Sequence, residues 1–337
     1  MKKPVTLKEL AQTLGVSVAT VSKALNHDPS IGHYTRERVL QLAEARNYVP
    51  NETARNFQRQ KSLTIALTVP NTLDQFFVQA INGVDDVALP AQYSVVVLQT
   101  LDEDARVSTW LDMVQRDRLD GLIATITPTT TDLAPYRRLE AVGIPVVYMN
   151  RSPHDSACSL VTGRNVDGAA RATNFLLDRG HRRLAHLKGP HNIMASRQRL
   201  AGFEQALAQR GLPLNPQFVR EVDLSVASTD AAMRSLMAQP DYPTGILTFK
   251  NYVTLDAIDF LKREYPGRLA EVEFVGFGNL PLIRYLEHRP VASVEENAYR
   301  MGQEAMRLLL RLIEAAGTAP AAPPERIEIP GTLVTHG

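Results

Sequence analysis

The apolar pattern at the start of the chain has the period of two short helices separated by a turn. In residues 5–25, apolar side chains recur three and four positions apart up to Leu14, and Gly15 follows as a helix stop. Val21 and Leu25 are then spaced for burial on one face of a second helix. The pattern predicts a helix, a turn and a second helix.

Capping residues support both helices. Thr6 and Glu9 have the spacing of a capping box, and Ser17 is a suitable N-cap for the second helix. The second helix would then expose small and hydroxyl side chains that suit a DNA major groove. We expect phosphate contacts from Ser17, Thr20 and Ser22, and base contacts from Val18, Ala19 and Lys23. An ordinary helical hairpin has the same pattern, so this stretch alone favours neither interpretation.

A third helix is predicted after a loop. Thr35 can cap this helix, and Tyr48 can close a small core with it. Residues 51–61 follow, with Phe57 as their one large apolar residue among three basic side chains. This segment is interpreted either as a solvated linker or as a hinge that becomes helical on DNA and inserts Phe57 into the minor groove.

From Leu63 onwards, short β-branched runs alternate with helical stretches in two series, followed by a last strand, a long helix and the segment RIEIPGTLV. This alternation predicts parallel sheets in doubly wound units, so the fold class is α/β with a small all-α headpiece. We place the headpiece at 1–50, the hinge at 51–62 and the core at 63–337. The predicted subdomains of the core are an N-terminal one, about 63–158 plus 291–320, and a C-terminal one, about 159–290 plus 321–337.

Charge is distributed unevenly along the chain. The formal net charge is +1, but residues 1–62 hold ten Lys or Arg against five Asp or Glu. A basic head on a mildly acidic body is typical of a phosphate-contacting module attached to a second domain. Cys158 is the only cysteine, which excludes an intrachain disulfide. The first residues lack the apolar core of a signal peptide and no apolar run approaches the ~20 residues that span a bilayer, so we expect a cytoplasmic protein.

Motifs of enzyme chemistry are missing from the sequence. It contains no GxxxxGK(S/T) or GxGxxG nucleotide motif, no GxSxG nucleophile elbow, and no HExxH among its eight histidines. We therefore expect no catalytic activity, no cofactor and no bound metal.

Polar residues follow several of the predicted strands. Ligands of doubly wound sheets bind beyond the carboxyl ends of the strands. This rule selects Asn71, Asp74, Thr127, Asn150, Arg164, Asn165, Asn251 and Tyr252. Each alone is more typical of an ordinary loop, but together they predict a ligand cleft between two lobes.

Several blocks of the chain resemble the LacI/GalR, or lactose-repressor, family of bacterial transcription regulators. They are VTLKELAQTLGVSVATVSKALN, TRERVLQLAEARNYVPNETAR, GHRRLAHLKGP, RLAGFEQAL and the series from PTGILTF to VGFG, in the family's order over nearly the full length. The resemblance favours the DNA-binding interpretation of the first two helices. It implies a homodimer on a pseudo-palindromic operator, hinge helices in the central minor groove, and a periplasmic-binding-protein-like core that clamps a small carbohydrate effector.

The resemblance also implies which residues contact DNA. Phe57 stands where the family usually has an intercalating leucine, so the wedge stays apolar but becomes larger and aromatic. The predicted DNA-binding residues are Thr6, Ser17, Val18, Ala19, Thr20, Ser22, Lys23, Asn26, Thr35, Tyr48, Asn51, Ala54, Arg55 and Phe57.

The effector site departs further from the family pattern. Arg199 is retained from sugar-binding members, but three carboxylates that would accept hydrogen bonds from sugar hydroxyls are replaced, at Arg164, Tyr252 and Gly278. This predicts an acidic or phosphorylated carbohydrate held by Arg164 and Arg199. The alternative is a neutral sugar, with Arg164 paired to Asp74. The predicted effector-binding residues are Asn71, Asp74, Phe76, Thr127, Asn150, Arg164, Arg199, Asn251, Tyr252 and Gly278.

The predicted mechanism is linkage between two sites. Effector binding would reorient the lobes, order or melt the hinge, and so change the affinity for the operator. A solute-binding protein for sugar uptake is the alternative, and a sugar-converting enzyme is a third interpretation. The basic headpiece and the missing signal peptide argue against the former, and the missing catalytic motifs argue against the latter.

Overall fold

The computed structural model of the chain divides into two compact units, residues 1–62 and 63–337. The structure describes residues 5–48, 61–151, 158–316 and 323–336. Most of the predicted hinge at 51–62 therefore lies outside the described residues.

Short helices form the described part of the first unit. They are α1 (Leu7–Leu14), α2 (Val18–Leu25) and α3 (His33–Ala45). The predicted capping box is present, with the Thr6 amide donating to Glu9 Oε2 at 2.8 Å. Gly15 ends α1 at φ +68°, and the Thr20 amide donates to Ser17 Oγ at 3.0 Å, which caps α2. The predicted caps of both helices are present.

The third helix begins three residues earlier than predicted. Its N-cap is Gly32, which has no side chain to accept a hydrogen bond, and Thr35 lies inside the first turn. The prediction that Thr35 caps this helix is wrong, because the chain turns into helical geometry directly after Gly32. Each helix contributes to a small apolar core, and Tyr48 packs against that core.

The second unit alternates strands and helices as predicted. Its strands are β1 (Thr64–Val69), β2 (Ser94–Gln99), β3 (Gly121–Ala124), β4 (Val146–Met149), β5 (Leu160–Gly163), β6 (Leu184–Lys188), β7 (Val219–Glu221), β8 (Gly245–Thr248), β9 (Glu273–Phe277), β10 (Ala292–Glu295), β11 (Arg326–Ile329) and β12 (Thr332–Thr335). Its α-helices are α4 (Gln75–Ala88), α5 (Asp104–Arg116), α6 (Ala134–Ala141), α7 (Asn165–Asp178), α8 (Met194–Gln209), α9 (Val226–Met237), α10 (Asn251–Glu264) and α11 (Ala298–Ala315).

The strands form two six-stranded sheets. The first has the order β11-β5-β4-β3-β1-β2 and parallel pairs throughout. The second has the order β12-β10-β9-β8-β6-β7, in which β12 alone is antiparallel to its neighbour. We call the first sheet with α4, α5, α6 and α11 the N-lobe, and the second sheet with α7 to α10 the C-lobe. The predicted α/β fold class is confirmed.

The central strands of each sheet are buried on both faces. In β1, Ile65 and Leu67 face the layer of α4 and α11, whereas Ala66 faces the layer of α5 and α6. Burial on both faces explains why the strands read as continuous apolar runs instead of alternating ones. No helix in the described ranges has the length and apolar character needed to cross a membrane.

Strand pairing corrects the predicted subdomain boundaries at three places. The sequence assigns β5 to the C-terminal subdomain, but β5 pairs with β4 in the first sheet. β10 pairs with β9 in the second sheet, although residues 291–320 are predicted in the N-terminal subdomain. β11 joins β5 in the first sheet, whereas 321–337 are predicted in the C-terminal subdomain. The order of strands along the chain does not show which sheet a strand joins, because both sheets offer equivalent hydrogen-bonding edges.

Candidate functional site

The exposed side of α2 carries the residues that are predicted to face DNA bases. Val18, Ala19 and Lys23 are exposed, and Val18 leaves 44% of its surface accessible although it is apolar. On the opposite side, Val21 and Ala24 are completely buried. An exposed valine near a lysine on a short helix is suited to thymine methyl groups and guanine acceptors.

The predicted phosphate-contacting hydroxyls are partly engaged within the helix pair. Ser17 Oγ and Thr20 Oγ1 lie 2.8 Å apart, and Thr20 and Ser22 are half-buried. Asn26 is exposed at the end of α2, and Thr35 is half-buried in the first turn of α3. The predicted contacts that lie outside the described residues are Asn51, Ala54, Arg55 and Phe57.

Tyr34, which the sequence-based predictions did not single out, is exposed on the headpiece surface. Its ring is 74% exposed, and the guanidinium carbon of Arg38 lies 5.6 Å from the ring centroid. A tyrosine one turn before an arginine in a basic headpiece is the signal that could have found it.

A cavity lies between the N-lobe and the C-lobe, at the carboxyl ends of several strands. Its volume of about 90 Å³ is several times the ~10–15 Å³ that one water molecule needs, so it can hold a small organic molecule. Seven of the ten predicted effector residues line it: Asp74, Phe76, Asn150, Arg199, Asn251, Tyr252 and Gly278.

The other three predicted effector residues do not line the cavity. Asn71 Oδ1 accepts from two amides of the turn before α4, at 3.0 and 3.1 Å. Thr127 is buried and donates to Asp104 at 2.6 Å. Arg164 is exposed at the start of α7. The predicted site is corrected at these positions, because a place at a strand end does not determine where the side chain points.

Arg199 is almost completely buried in the C-lobe wall of the cavity, with 4% of its surface exposed. Its Nε donates to Asn165 Oδ1 at 3.0 Å, Nη1 to the carbonyl of Phe249, and Nη2 to Glu296 Oε1 at 2.5 Å. The guanidinium also lies on the ring of Phe277, with Cζ 3.7 Å from the centroid. Burial lowers the pKa of Arg199 and raises the pKa of Glu296, and the ion pair between them opposes both shifts.

Asn251 lines the cavity and has a buried acceptor without a hydrogen-bond partner in the described ranges. Its side chain is buried, and its Oδ1 has no hydrogen-bond partner in the part of the chain that the structure describes. Gly278 makes room for this side chain, because a Cβ at position 278 would lie 2.2 Å from Asn251 Nδ2. A buried carbonyl oxygen is costly to leave unpaired. A ligand that donates a hydrogen bond would satisfy this oxygen once the side chain turns it toward the cavity, because Oδ1 itself is closed to solvent.

Aromatic rings cover much of the remaining wall. Phe76 comes from the first turn of α4, and Phe277 from the end of β9. Phe249 and Tyr252 lie on either side of the junction between β8 and α10. Apolar ring faces with a few fixed polar groups are typical of small-molecule sites and suit the C–H face of a sugar ring.

Contacts at Lys250 and Tyr252 join the two lobes across the cavity. Lys250 Nζ lies 3.6 Å from Asp74 Oδ2, and Tyr252 Oη donates to the carbonyl of Leu73 at 3.2 Å. The charged partner of Asp74 is therefore Lys250 and not Arg164, which corrects the pairing considered from the sequence. Lys250 reaches Asp74 because it lies at a strand end directly opposite the start of α4.

The charged residues that line the cavity balance one another. They are three carboxylates, Asp74, Glu295 and Glu296, and three cations, Arg151, Arg199 and Lys250. Arg151 also pairs with Asp102 at 2.7 Å, outside the lining. The structure thus lacks the excess of positive charge that the sequence predicts for this site.

Sequence reasoning missed Lys250 and Glu296. Lys250 follows β8 closely and Glu296 directly follows β10, so the rule that selected Asn251 could have found both. Within the described ranges, no group of three or more His, Cys, Asp or Glu side chains is arranged to hold a metal ion.

Comparisons with known proteins match this architecture over nearly the whole chain. Residues 62–336 match the family model of periplasmic binding proteins and the sugar binding domain of the LacI family. Residues 6–51 match that of bacterial regulatory proteins of the lacI family. The HTH-type transcriptional repressor CytR of Escherichia coli strain K12 is 29% identical over 90% of this chain and 89% of its own length.

Solved structures extend the likeness to three dimensions. A complex of the transcriptional regulator CelR with cellobiose is 26% identical, with a TM-score of 0.72 over 98% of both chains. The lac repressor dimer bound to operator and the anti-inducer ONPF is 23% identical, has a TM-score of 0.82, and shows the same fold over 99% of this chain and 98% of that chain. A solute-binding protein for uptake is not favoured, because the N-terminal match is to a family of regulatory proteins.

Proposed function

This chain belongs to the LacI family of bacterial regulatory proteins, and we propose that it is a homodimeric repressor whose operator affinity is set by a small neutral carbohydrate in the cavity. Each headpiece would read one half of a pseudo-palindromic operator. The genes controlled would be those of carbohydrate metabolism.

The unpaired Oδ1 of Asn251 is the observation that carries the effector assignment. It is a buried acceptor without a partner among the described residues, in a side chain that lines the cavity, and a sugar hydroxyl would supply the donor it lacks once the amide turns its oxygen toward the cavity. The rings of Phe76 and Phe249 provide apolar faces for the C–H side of the same sugar.

The balance of charge favours a neutral sugar over an acidic one. Glu296 already neutralises Arg199, and Asp74 lies beside Lys250. Arg164, the other cation predicted to hold an anion, does not line the cavity. The CelR relative, whose structure contains cellobiose, is consistent with a neutral carbohydrate.

Operator reading is assigned to α2. Val18 and Ala19 would contact thymine methyl groups, and Lys23 would donate to guanine acceptors. Phe57 would act as an apolar wedge at the central step of the operator. Closure of the lobes on the effector would change operator affinity by about 5- to 150-fold, the usual range of coupling between two sites.

Isothermal titration calorimetry tests the effector assignment. We expect heat from neutral sugars such as cellobiose, glucose or ribose, and none from glucuronate or glucose 6-phosphate. Asn251→Ala should weaken the binding of the neutral sugar by about 5- to 150-fold. Asn174→Ala is the matched control, because that amide bonds to Ala170 within α7 and does not line the cavity. Binding of the anionic sugars alone would overturn the neutral assignment, and no heat from any sugar would count against a carbohydrate effector.

Fluorescence anisotropy with DNA from upstream of the protein's own gene tests the operator assignment. We expect salt-dependent, sequence-selective binding, which Lys23→Gln should weaken by about 5- to 150-fold. Lys262→Gln is the control, because it removes one exposed lysine charge from the core. Equal effects of the two substitutions would contradict the role of Lys23, and the absence of selective binding to any natural DNA would contradict the repressor assignment.

A further inference from the structure

The described chain passes between the N-lobe and the C-lobe at three crossovers. The first crossover is Arg164, between β5 and α7, and the second is Glu296 and Asn297, between β10 and α11. The third is Pro330 and Gly331, between β11 and β12. The amide of Arg164 donates to the carbonyl of Ile329, the last residue of β11, at 2.9 Å. Asn297 Nδ2 donates to the carbonyl of Pro330 at 2.7 Å. The crossovers therefore lie side by side, and a change in the angle between the lobes must act on them.

Arg199 connects two of these crossovers to the cavity. Its Nε bonds to Asn165, which directly follows the first crossover, and its Nη2 bonds to Glu296 in the second. Its Nη1 bonds to the carbonyl of Phe249, which lines the cavity. The arginine itself also lines the cavity. One planar group thus contacts both the cavity and two of the segments that join the lobes.

We propose that Arg199 is a positioning residue that ties the first and second crossovers together through Asn165 and Glu296. A ligand in the cavity would then act on the lobe angle through this tie. The regulatory part of this proposal rests on the proposed function, whereas the tie itself can be tested without ligand or DNA.

The burial of the partners explains why the tie transmits a displacement. The side chain of Glu296 is 14% exposed and that of Arg199 is 4% exposed, and Asn165 is also buried. Buried charges and amides lose much more free energy when they are separated from their partners than exposed ones do. If the guanidinium rotates toward a ligand oxygen, Glu296 and Asn165 must therefore follow it, and each carries its own crossover along.

Hydrogen exchange of the full-length protein without ligand or DNA tests the tie. Glu296→Gln keeps the shape of the side chain but removes the charge that strengthens its bond to Arg199. We expect amide exchange to become roughly fivefold faster at 293–301 and also at 160–168, because the loosened guanidinium holds Asn165 less firmly. In an Arg199→Lys background, which lacks the forked donors, Glu296→Gln should no longer affect 160–168.

Glu273→Gln is the matched control. It removes the same charge from a carboxylate of the C-lobe that bonds to Arg179, away from the crossovers. We expect it to leave exchange at 160–168 and 293–301 at the wild-type rate. Asn165→Ala tests the effect in the opposite direction, and we expect it to speed amide exchange at 293–301. This variant tests the tie if Glu296→Gln does not fold. Effects confined to the mutated crossover would overturn the proposal, whatever the outcome of the DNA and sugar titrations.

Discussion

The two walls of the cavity hold their polar side chains in different ways. On the C-lobe wall, Arg199 is 4% exposed and bonds to three separate segments, and Gly278 leaves room for the buried amide of Asn251. On the N-lobe wall, Arg151 is 16% exposed, pairs with the more exposed Asp102 at 2.7 Å and donates to the carbonyl of Ile126 at 3.4 Å. Asp74 Oδ2 lies 3.6 Å from Lys250 Nζ, which reaches it from the other side of the cleft.

This difference between the walls gives them different roles, one in recognising the ligand and the other in closing on it. A wall whose side chains are already fixed by hydrogen bonds loses little entropy when a ligand binds, so it can define which ligand fits. A wall whose contacts are more exposed can move relative to the other at small cost. The C-lobe would therefore set specificity, and the N-lobe would supply the movement.

Replacing the arginines of the two walls should give the largest difference. Arg199→Met leaves Glu296 buried without its partner, so we expect the free energy of unfolding to fall by about 3–5 kcal/mol. Arg151→Met removes a more exposed ion pair and should lower it by about 1 kcal/mol or less. Urea unfolding followed by circular dichroism measures both. Equal losses would show that the walls do not differ in this respect.

The C-lobe also contains a buried histidine behind its wall. Burial lowers the pKa of His186 to about 4, with smaller effects of Arg199 and Lys188 in the same direction and of a bond to the Leu247 carbonyl in the opposite one. The unfolded chain therefore binds a proton below pH 6.5 that the folded chain does not. Stability should be full above pH 6.5 and fall by about 3 kcal/mol as the pH drops toward 4.

Unfolding by urea at a series of pH values checks this dependence. His186→Leu should remove most of the slope between pH 6.5 and 4. His191→Gln, at an exposed histidine, should retain it. A slope that survives His186→Leu would assign the pH dependence to other groups.

Two glycines with similar backbone angles allow the cost of backbone strain to be measured apart from the cost of a steric clash. Gly278 and Gly143 have φ of +89° and +86°, so an alanine at either position is strained by about 1–2 kcal/mol. A Cβ at Gly143 meets nothing within 4 Å, whereas one at Gly278 meets the amide of Asn251. We expect Gly278→Ala to cost about 1 kcal/mol more than Gly143→Ala in urea unfolding. It should also weaken sugar binding, and equal costs would argue against a fixed Asn251.

The smallest effect is expected from the contact across the cleft. A double-mutant cycle with Lys250→Met and Asp74→Asn should give a coupling of about 0.2–1 kcal/mol, because the pair is partly exposed. Thermal unfolding of the four proteins measures it, and 1 M salt should reduce it. A coupling above about 2 kcal/mol would mean that this pair is as strong as a buried ion pair, and would contradict the expected difference between the two walls.

Short-range signals made the headpiece predictable. The capping box of Thr6 and Glu9 and the stop at Gly15 depend on residues a few positions apart, and the structure has them as predicted. Thr35 is the exception, because Gly32 takes the cap without a side-chain hydrogen bond. The α/β class and the succession of strands along the chain were equally accessible, since the central strands, such as β3, β4 and β8, are buried apolar runs.

The candidate cavity was predictable only in part. The strand-end rule found four of the lining residues, Asp74, Asn150, Asn251 and Tyr252, because parallel strands bring their carboxyl ends to one edge. It failed for Asn71, Thr127, Arg164 and Asn165, which do not line the cavity. It also could not reveal that the charge of Arg199 is already matched by Glu296.

The sequence by itself determined the family, through blocks that resemble those of its members. It also determined the helix pair and the alternating α/β core, because these depend on local capping, helical spacing and apolar runs. Only the tertiary structure decided which sheet receives β5, β10 and β11, and which partners hold Arg199. The physical reason is distance along the chain. Arg199 meets Asn165 from 34 residues away, Phe249 from 50 and Glu296 from 97. Contacts of this range arise from the packing of whole lobes, and no local pattern contains them.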